Sequence, residues 1–113
     1  MKLTVGAERP EQVVTALSVT AAGIAAGVEV SLWLTGEASW LGVAGRAAEF
    51  HDDLADPQSL LAAVREDGDV VVCSMCAARR GITAEDLAAG VRIAGASSFV
   101  EAIMRDGTQA LVY

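Results

Sequence analysis

Short apolar runs suited to buried strands alternate with helical segments along the whole chain, and this alternation constrains the fold more than any other feature. Lys2–Gly6 reads as a short strand, and Pro10 opens a helix at the position where its missing N–H costs nothing. Val13, Val14, Leu17, Ala21, Ile24 and Ala25 share one face of that helix, and Gly27 closes it. Val28–Leu34 is a second strand, with Val28, Val30, Leu32 and Leu34 on one face. Ala38–Ala48 is weakly helical and interrupted by glycine. Asp56-Pro57 then starts a helix that runs to about Glu66 and ends at Gly68. Val70–Cys73, Val91–Ala94 and Gln109–Tyr113 read as the remaining strands. Thr83-Ala84-Glu85-Asp86 and Ser98-Phe99-Val100-Glu101 carry capping-box signatures, and Gly107 stops the last helix.

Five strands separated by helices predict an α/β fold: a five-stranded parallel sheet covered on both faces, in three layers. The 113 residues suit one domain, 1–113, large enough to build a core without disulfides or metal. Slightly more than half of the residues are hydrophobic, which excludes a disordered chain. A formal charge of −7 argues against nucleic acid or an anionic membrane as the main partner, since both need a positive field. The opening strand leaves no room for a signal peptide, and no apolar run reaches the length of a membrane span, so a cytoplasmic protein is expected.

Sites in parallel sheets lie beyond the carboxyl ends of the strands. Those ends carry Gly6-Ala7-Glu8, Thr35-Gly36-Glu37, Cys73-Ser74 and Gly95-Ala96-Ser97, and Cys73 is the strong nucleophile among them. The segment Val70-Val71-Val72-Cys73-Ser74-Met75-Cys76-Ala77-Ala78-Arg79-Arg80-Gly81 delivers that thiol to the mouth of a helix. Free amides there, including that of Ser74, and the cations Arg79 and Arg80 would favour a thiolate or a persulfide anion. A sulfur carrier or sulfurtransferase is one reading of this segment. A phosphatase or arsenate-reductase loop with the Cys-x5-Arg spacing is a second, but Ser74–Ala78 has no glycine to let a loop curl around an oxyanion. A Cys-x-x-Cys redox protein is a third, with Cys76 as a second or resolving thiol. The only prolines, Pro10 and Pro57, read as helix starts, which argues against a thioredoxin. Two cysteines and the distant His51 fall short of a zinc site, and no metal or cofactor is expected.

Cys73-x5-Arg-Arg-Gly followed by Ile82-x-x-Glu85-Asp86-Leu87 resembles the DsrE/DsrF-like sulfur-relay family, on the pattern of the Tus-relay D subunit. The likeness extends to the opening strand, the Ala-rich helix ending at Gly27, the run Val30-Ser31-Leu32-Trp33-Leu34 before Thr35-Gly36-Glu37, and the closing strand. It implies a DsrE/YchN-like α/β/α sandwich and a persulfide carried on Cys73, with Arg79, Arg80 and Gly81 at the matching positions. It also implies trimers or hexamers, with sulfur donor and acceptor proteins as partners. Cys76 and the loop after Gly36 depart from the relay pattern. A non-catalytic module that binds a small molecule or protein on the same scaffold is the rival of a different class.

Simpler roles are open for each of these residues. Cys73 and Cys76 suit buried small hydrophobes, and Arg79 and Arg80 suit a solvated helix end. Trp33 reads as a packing residue, and Phe50-His51-Asp52-Asp53 as an acidic surface loop. Glu8 and Glu37 come at strand carboxyl ends and could reach the site, but they also read as ordinary loop residues. Trp40 and Phe50 are expected to be exposed. With Leu41 and Val43 they would then offer apolar surface for self-association.

Overall fold

The computed structural model describes residues 1–50, 53 and 55–113. Among them a parallel sheet runs β1 (Lys2–Leu3), β2 (Ser31–Leu34), β3 (Asp69–Cys73), β4 (Val91–Ala94), in that spatial order. Helices α1 (Pro10–Ala25), α2 (Pro57–Asp67), α3 (Ser74–Arg80) and α4 (Ala96–Ile103) connect the strands, with 3-10 turns at Gly36–Gly42, Arg46–Glu49 and Ala84–Asp86. Each successive strand is added on the same side of the one before. Right-handed crossovers then place α1 and α2 on one face, where they pack against each other.

Alternation along the strands sorts the core. Leu3, Leu32, Leu34, Val70 and Val72 face α1 and α2 and meet Val13, Ala16, Leu17, Leu61 and Val64. Each such buried Leu or Val side chain stabilises the fold by about 1.5–3 kcal/mol. Trp33 and Val71 point to the opposite face, where the Phe99 ring of α4 meets Trp33 edge-on at 5.2 Å. The sheet is thus covered on both faces, as the alternation predicts.

The sheet has four strands where five are expected. The closing segment still runs beside β1: the Lys2 amide donates to Leu111 O and the Thr4 amide to Tyr113 O. That pairing amounts to an isolated bridge, Lys2 to Val112, because β1 itself is only two residues long. The second strand begins at Ser31, later than Val28, and α1 supplies the reason. Gly27 (φ 80) donates to Ile24 O and Val28 to Gly23 O, so the Val28 amide is used to finish the helix and its side chain stays exposed. The last helix begins at Ala96, directly after Gly95, so Ser98 and Glu101 lie inside it and do not form a cap.

Other local signals match their elements. Asp56 caps α2 by accepting from the Gln58 and Ser59 amides, and Thr83 and Asp86 form a reciprocal capping box. The segment after β2 folds inward. Leu41 and Phe50 are buried in the main core, so they offer no surface for a partner, contrary to the expectation for Phe50. Gly42 allows this approach, since a Cβ there would lie 2.4 Å from Val72 Cγ2. His51 and Asp52 of the expected acidic loop lie outside the described residues.

Candidate functional site

β3 passes into α3 without a loop, so Cys73 is both the last strand residue and the residue that precedes the first helical turn. Its backbone is extended (φ −61, ψ 125). Three forward amides of the helix have no partner further back, and those of Met75 and Cys76 face the sulfur. Neither completes an ordinary capping hydrogen bond, but both favour negative charge. Partial burial pushes the Cys73 thiol up. The Cys76 amide, the Cys76 thiol, the Met75 amide and the positive charge of Lys2 outweigh it, and the net pKa lies below the ordinary thiol value.

Cys76 is the third residue of α3, and its Sγ accepts a hydrogen bond from the Gly36 amide at 3.2 Å. Gly36 sits at φ +55, and a Cβ on it would lie 2.6 Å from the Thr4 carbonyl oxygen, so only glycine turns the chain this way at the end of β2. Both thiols are free and partly exposed.

The two arginines part company. Arg80 folds back along α3, donating from Nη1 to the Cys76 carbonyl at 3.2 Å and from Nη2 to Glu37 Oε1 at 2.5 Å. Its side chain is 17 % exposed and its Nε is buried without a partner. Among the described residues Arg79 makes no such contact. It borders a cleft of about 540 Å³ lined by Gly36, Glu37, Trp40, Cys76, Arg79 and Arg80. Across this cleft the Arg46 guanidinium covers the Trp40 ring at 4.3 Å and pairs with Glu49 at 2.8 Å.

The site residues expected from sequence therefore fall into two groups. Cys76, Arg79 and Arg80 meet at the cleft. Cys73 lies behind Cys76, outside the cleft lining, and the positive charge that acts on it comes from Lys2 rather than from the arginines. Ser74 opens α3 with its hydroxyl toward Gly95 at the end of β4. Two participants are not among the site residues expected from sequence. Glu37 is legible only as a residue beyond a strand end, and Lys2 carries no signal at all, because strand register alone brings it near. Glu8 turns back to accept from the Gly6 amide and stays out of the site.

The helical state of Ser74–Arg80 also bears on the phosphatase reading. Arg79 stands six residues beyond Cys73, roughly 9 Å along the axis at ~1.5 Å per residue, so no loop wraps an oxyanion between them. Pro10 and Pro57 both occupy first helical positions, far in sequence from the thiols. Among the described residues no group of three or more potential ligands could hold a metal ion, and no helix is long and apolar enough to cross a membrane.

The model of the DsrE/DsrF-like family matches residues 3–112, nearly the whole chain. No curated protein matches it.

Proposed function

The chain belongs to the DsrE/DsrF-like family, and we propose that it is a sulfur carrier with sulfurtransferase-like chemistry centred on Cys73. The Cys73 thiolate attacks the outer sulfur of a donor persulfide. A Cys73–sulfur bond forms, the donor sulfur–sulfur bond breaks, and the donor leaves as its thiolate. An acceptor thiolate later takes the outer sulfur by the same step in reverse sense, returning Cys73 to its thiolate. The observation that carries this reading is the thiol held at the β3–α3 junction with its pKa lowered, since the thiolate is the attacking form and the leaving form of both steps.

The same reading makes the protein a cytoplasmic homo-oligomer, a trimer or hexamer, that meets donor and acceptor proteins. Exposed apolar side chains support association, and they come from elsewhere than the Trp40 segment: Val100 from α4, Met104 just after it, and Leu111 and Val112 from the closing segment. Met75, two residues after Cys73, is 64 % exposed, where a partner delivering sulfur would touch it.

Incubation with a small persulfide donor, followed by intact-protein mass spectrometry, tests the reading. The wild type and Cys76→Ser should gain the mass of one sulfur, and Cys73→Ser should gain none. Equal loading of Cys73→Ser would sink the assignment. No loading of any form would favour the non-catalytic module.

A further inference from the structure

We infer that Cys76 is the resolving thiol of this carrier: it attacks a persulfide on Cys73, closes a Cys73–Cys76 disulfide and releases the stored sulfur as sulfide. The inference rests on the carrier reading and adds a fate for sulfur that no acceptor collects.

Geometry brings the two sulfurs together. Cys73 immediately precedes α3 and Cys76 is its third residue, so the pair spans one turn, where positions three apart are neighbours. The Cys76 amide and thiol are among the groups that act on the Cys73 sulfur. Side chains three apart on a turn stand about 5–6 Å apart at Cβ and a disulfide needs about 3.5–4.5 Å, so closing the bond requires the backbone at the β3–α3 junction to shift by about 1–2 Å.

The surroundings hold Cys76 in that position. The Gly36 amide fixes its sulfur at 3.2 Å, and Arg80 ties its carbonyl at 3.2 Å while anchored on Glu37. The Glu37–Arg80 pair therefore ties the turn after β2 to α3 beside Cys76. Both thiols are partly exposed, and Cys76 borders the open cleft, so a small reductant can reach the bond that forms.

The chemistry balances. Cys76 gives up its proton to water and attacks Sγ of the Cys73 persulfide. The bond between Sγ of Cys73 and the carried sulfur breaks, the bond between the two cysteine sulfurs forms, and HS⁻ leaves and takes up a proton. The carried sulfur gains two electrons and the cysteine pair loses two. A low-molecular-weight thiol restores the dithiol: two reductant thiols give up two electrons and two protons and become their own disulfide.

The test uses the full chain loaded with cysteine persulfide and freed of excess donor. Wild type, Cys76→Ser, Cys76→Ala and Cys73→Ser are followed by intact mass and by sulfide release, with a thermal melt of each to confirm folding. In the wild type the persulfide should decay to a species two hydrogens lighter than the reduced protein, with one sulfide released per disulfide. Both Cys76 variants should keep the added sulfur roughly tenfold longer or more, since an intramolecular attack gains a high effective concentration. Equal persistence in the wild type and in whichever Cys76 variant melts like it overturns the resolving role and leaves Cys73 as carrier. So does recovery of the added sulfur on the Cys76 peptide, which would mean attack at the outer sulfur and simple transfer. Failure of every form to load marks the loss of the carrier reading itself, an outcome separate from either.

Discussion

The two ends of β3, Asp69 and Cys73, lie on one five-residue strand and meet opposite fates. At the amino end, the Asp69 carboxylate accepts from Arg92 Nε at 2.9 Å and Nη2 at 2.6 Å, and from the Ser31 hydroxyl at 3.1 Å. The Arg92 hydrogen bonds hold its carboxyl below the usual carboxylate range against a smaller opposing effect of burial. At the carboxyl end, Cys73 faces amides that lean toward its sulfur without completing capping bonds, and Arg79, further along α3, borders the cleft. One end is closed by matched charges and the other is left chemically unsatisfied. In a parallel sheet the difference follows from direction. Every strand feeds its helix from the carboxyl end, so the forward amides of the helices gather there. On the proposed carrier reading, the strand thus separates groups that hold the fold from a thiol placed to react.

The largest effect should appear at the reactive end. Near neutral pH, a limiting alkylating reagent should label Cys73 before Cys76, roughly tenfold faster or more, and Cys73→Ser should remove the fast phase. Asp69→Asn should leave that phase unchanged. Peptide mapping after brief exposure measures both. Preferential labelling of Cys76 would reverse the assignment of the two thiols and dissolve the contrast between the strand ends.

A second substitution probes how far the reactive end is free of structural duty. Gly36→Ala places a side chain at φ +55 and 2.6 Å from the Thr4 carbonyl, so the turn must move. The expected cost is about 1–3 kcal/mol, read by denaturant unfolding. The shift should also withdraw the amide from Cys76 Sγ and alter the Cys76 labelling rate. Full stability in this variant would mean the turn relaxes easily and that nothing at this end is built into the fold.

The sequence made the reactive end partly visible. An apolar run ending in Cys73, with Ala77 and Ala78 beyond it, specifies a strand feeding a helix because both propensities are local. The starts at Pro10 and Asp56-Pro57 and the Thr83–Asp86 box are local for the same reason. What stayed hidden depends on distance along the chain. Glu37 reaches Arg80 across 43 residues, and Lys2 acts on Cys73 only through the pairing of β1, β2 and β3. The burial of Phe50 and Leu41 was equally invisible, since a glycine-rich segment with no strong period gives no inward face to read. The shortened fifth strand depends on how few residues β1 offers it.

The amino end of β3 predicts a smaller effect of a different kind. Asp69→Asn removes a pair whose side chains are 51 % and 44 % exposed, so solvent screening limits the loss to about 0.5–1 kcal/mol. The folded carboxyl titrates below its unfolded value. The contribution of the pair is therefore fully present above the ordinary aspartate range and is lost as pH falls through the lower, folded value. Wild type and Asp69→Asn should accordingly converge in stability under strong acid, as thermal melts across pH would record. A gap that persists there would mean the aspartate serves packing rather than charge.

The smallest expected effect decides which cation the Cys73 thiolate feels. Strand alternation places Lys2 in the same row as Trp33 and Val71, on the face toward which Cys73 also points. Its ammonium lies 5.4 Å from the Phe99 ring centre and is one of the groups that lower the Cys73 pKa, after burial, which acts the other way, and after the Cys76 and Met75 contributions. Lys2→Gln should move the pH profile of Cys73 alkylation to higher pH. Arg79→Gln with Arg80→Gln should move it less, because Arg80 is already neutralised by Glu37 and Arg79 opens toward the cleft. A larger shift in the arginine variant would place those side chains over Cys73 in solution. The charge beside the thiol would then be helical and local, as the sequence suggests, and not a product of the sheet.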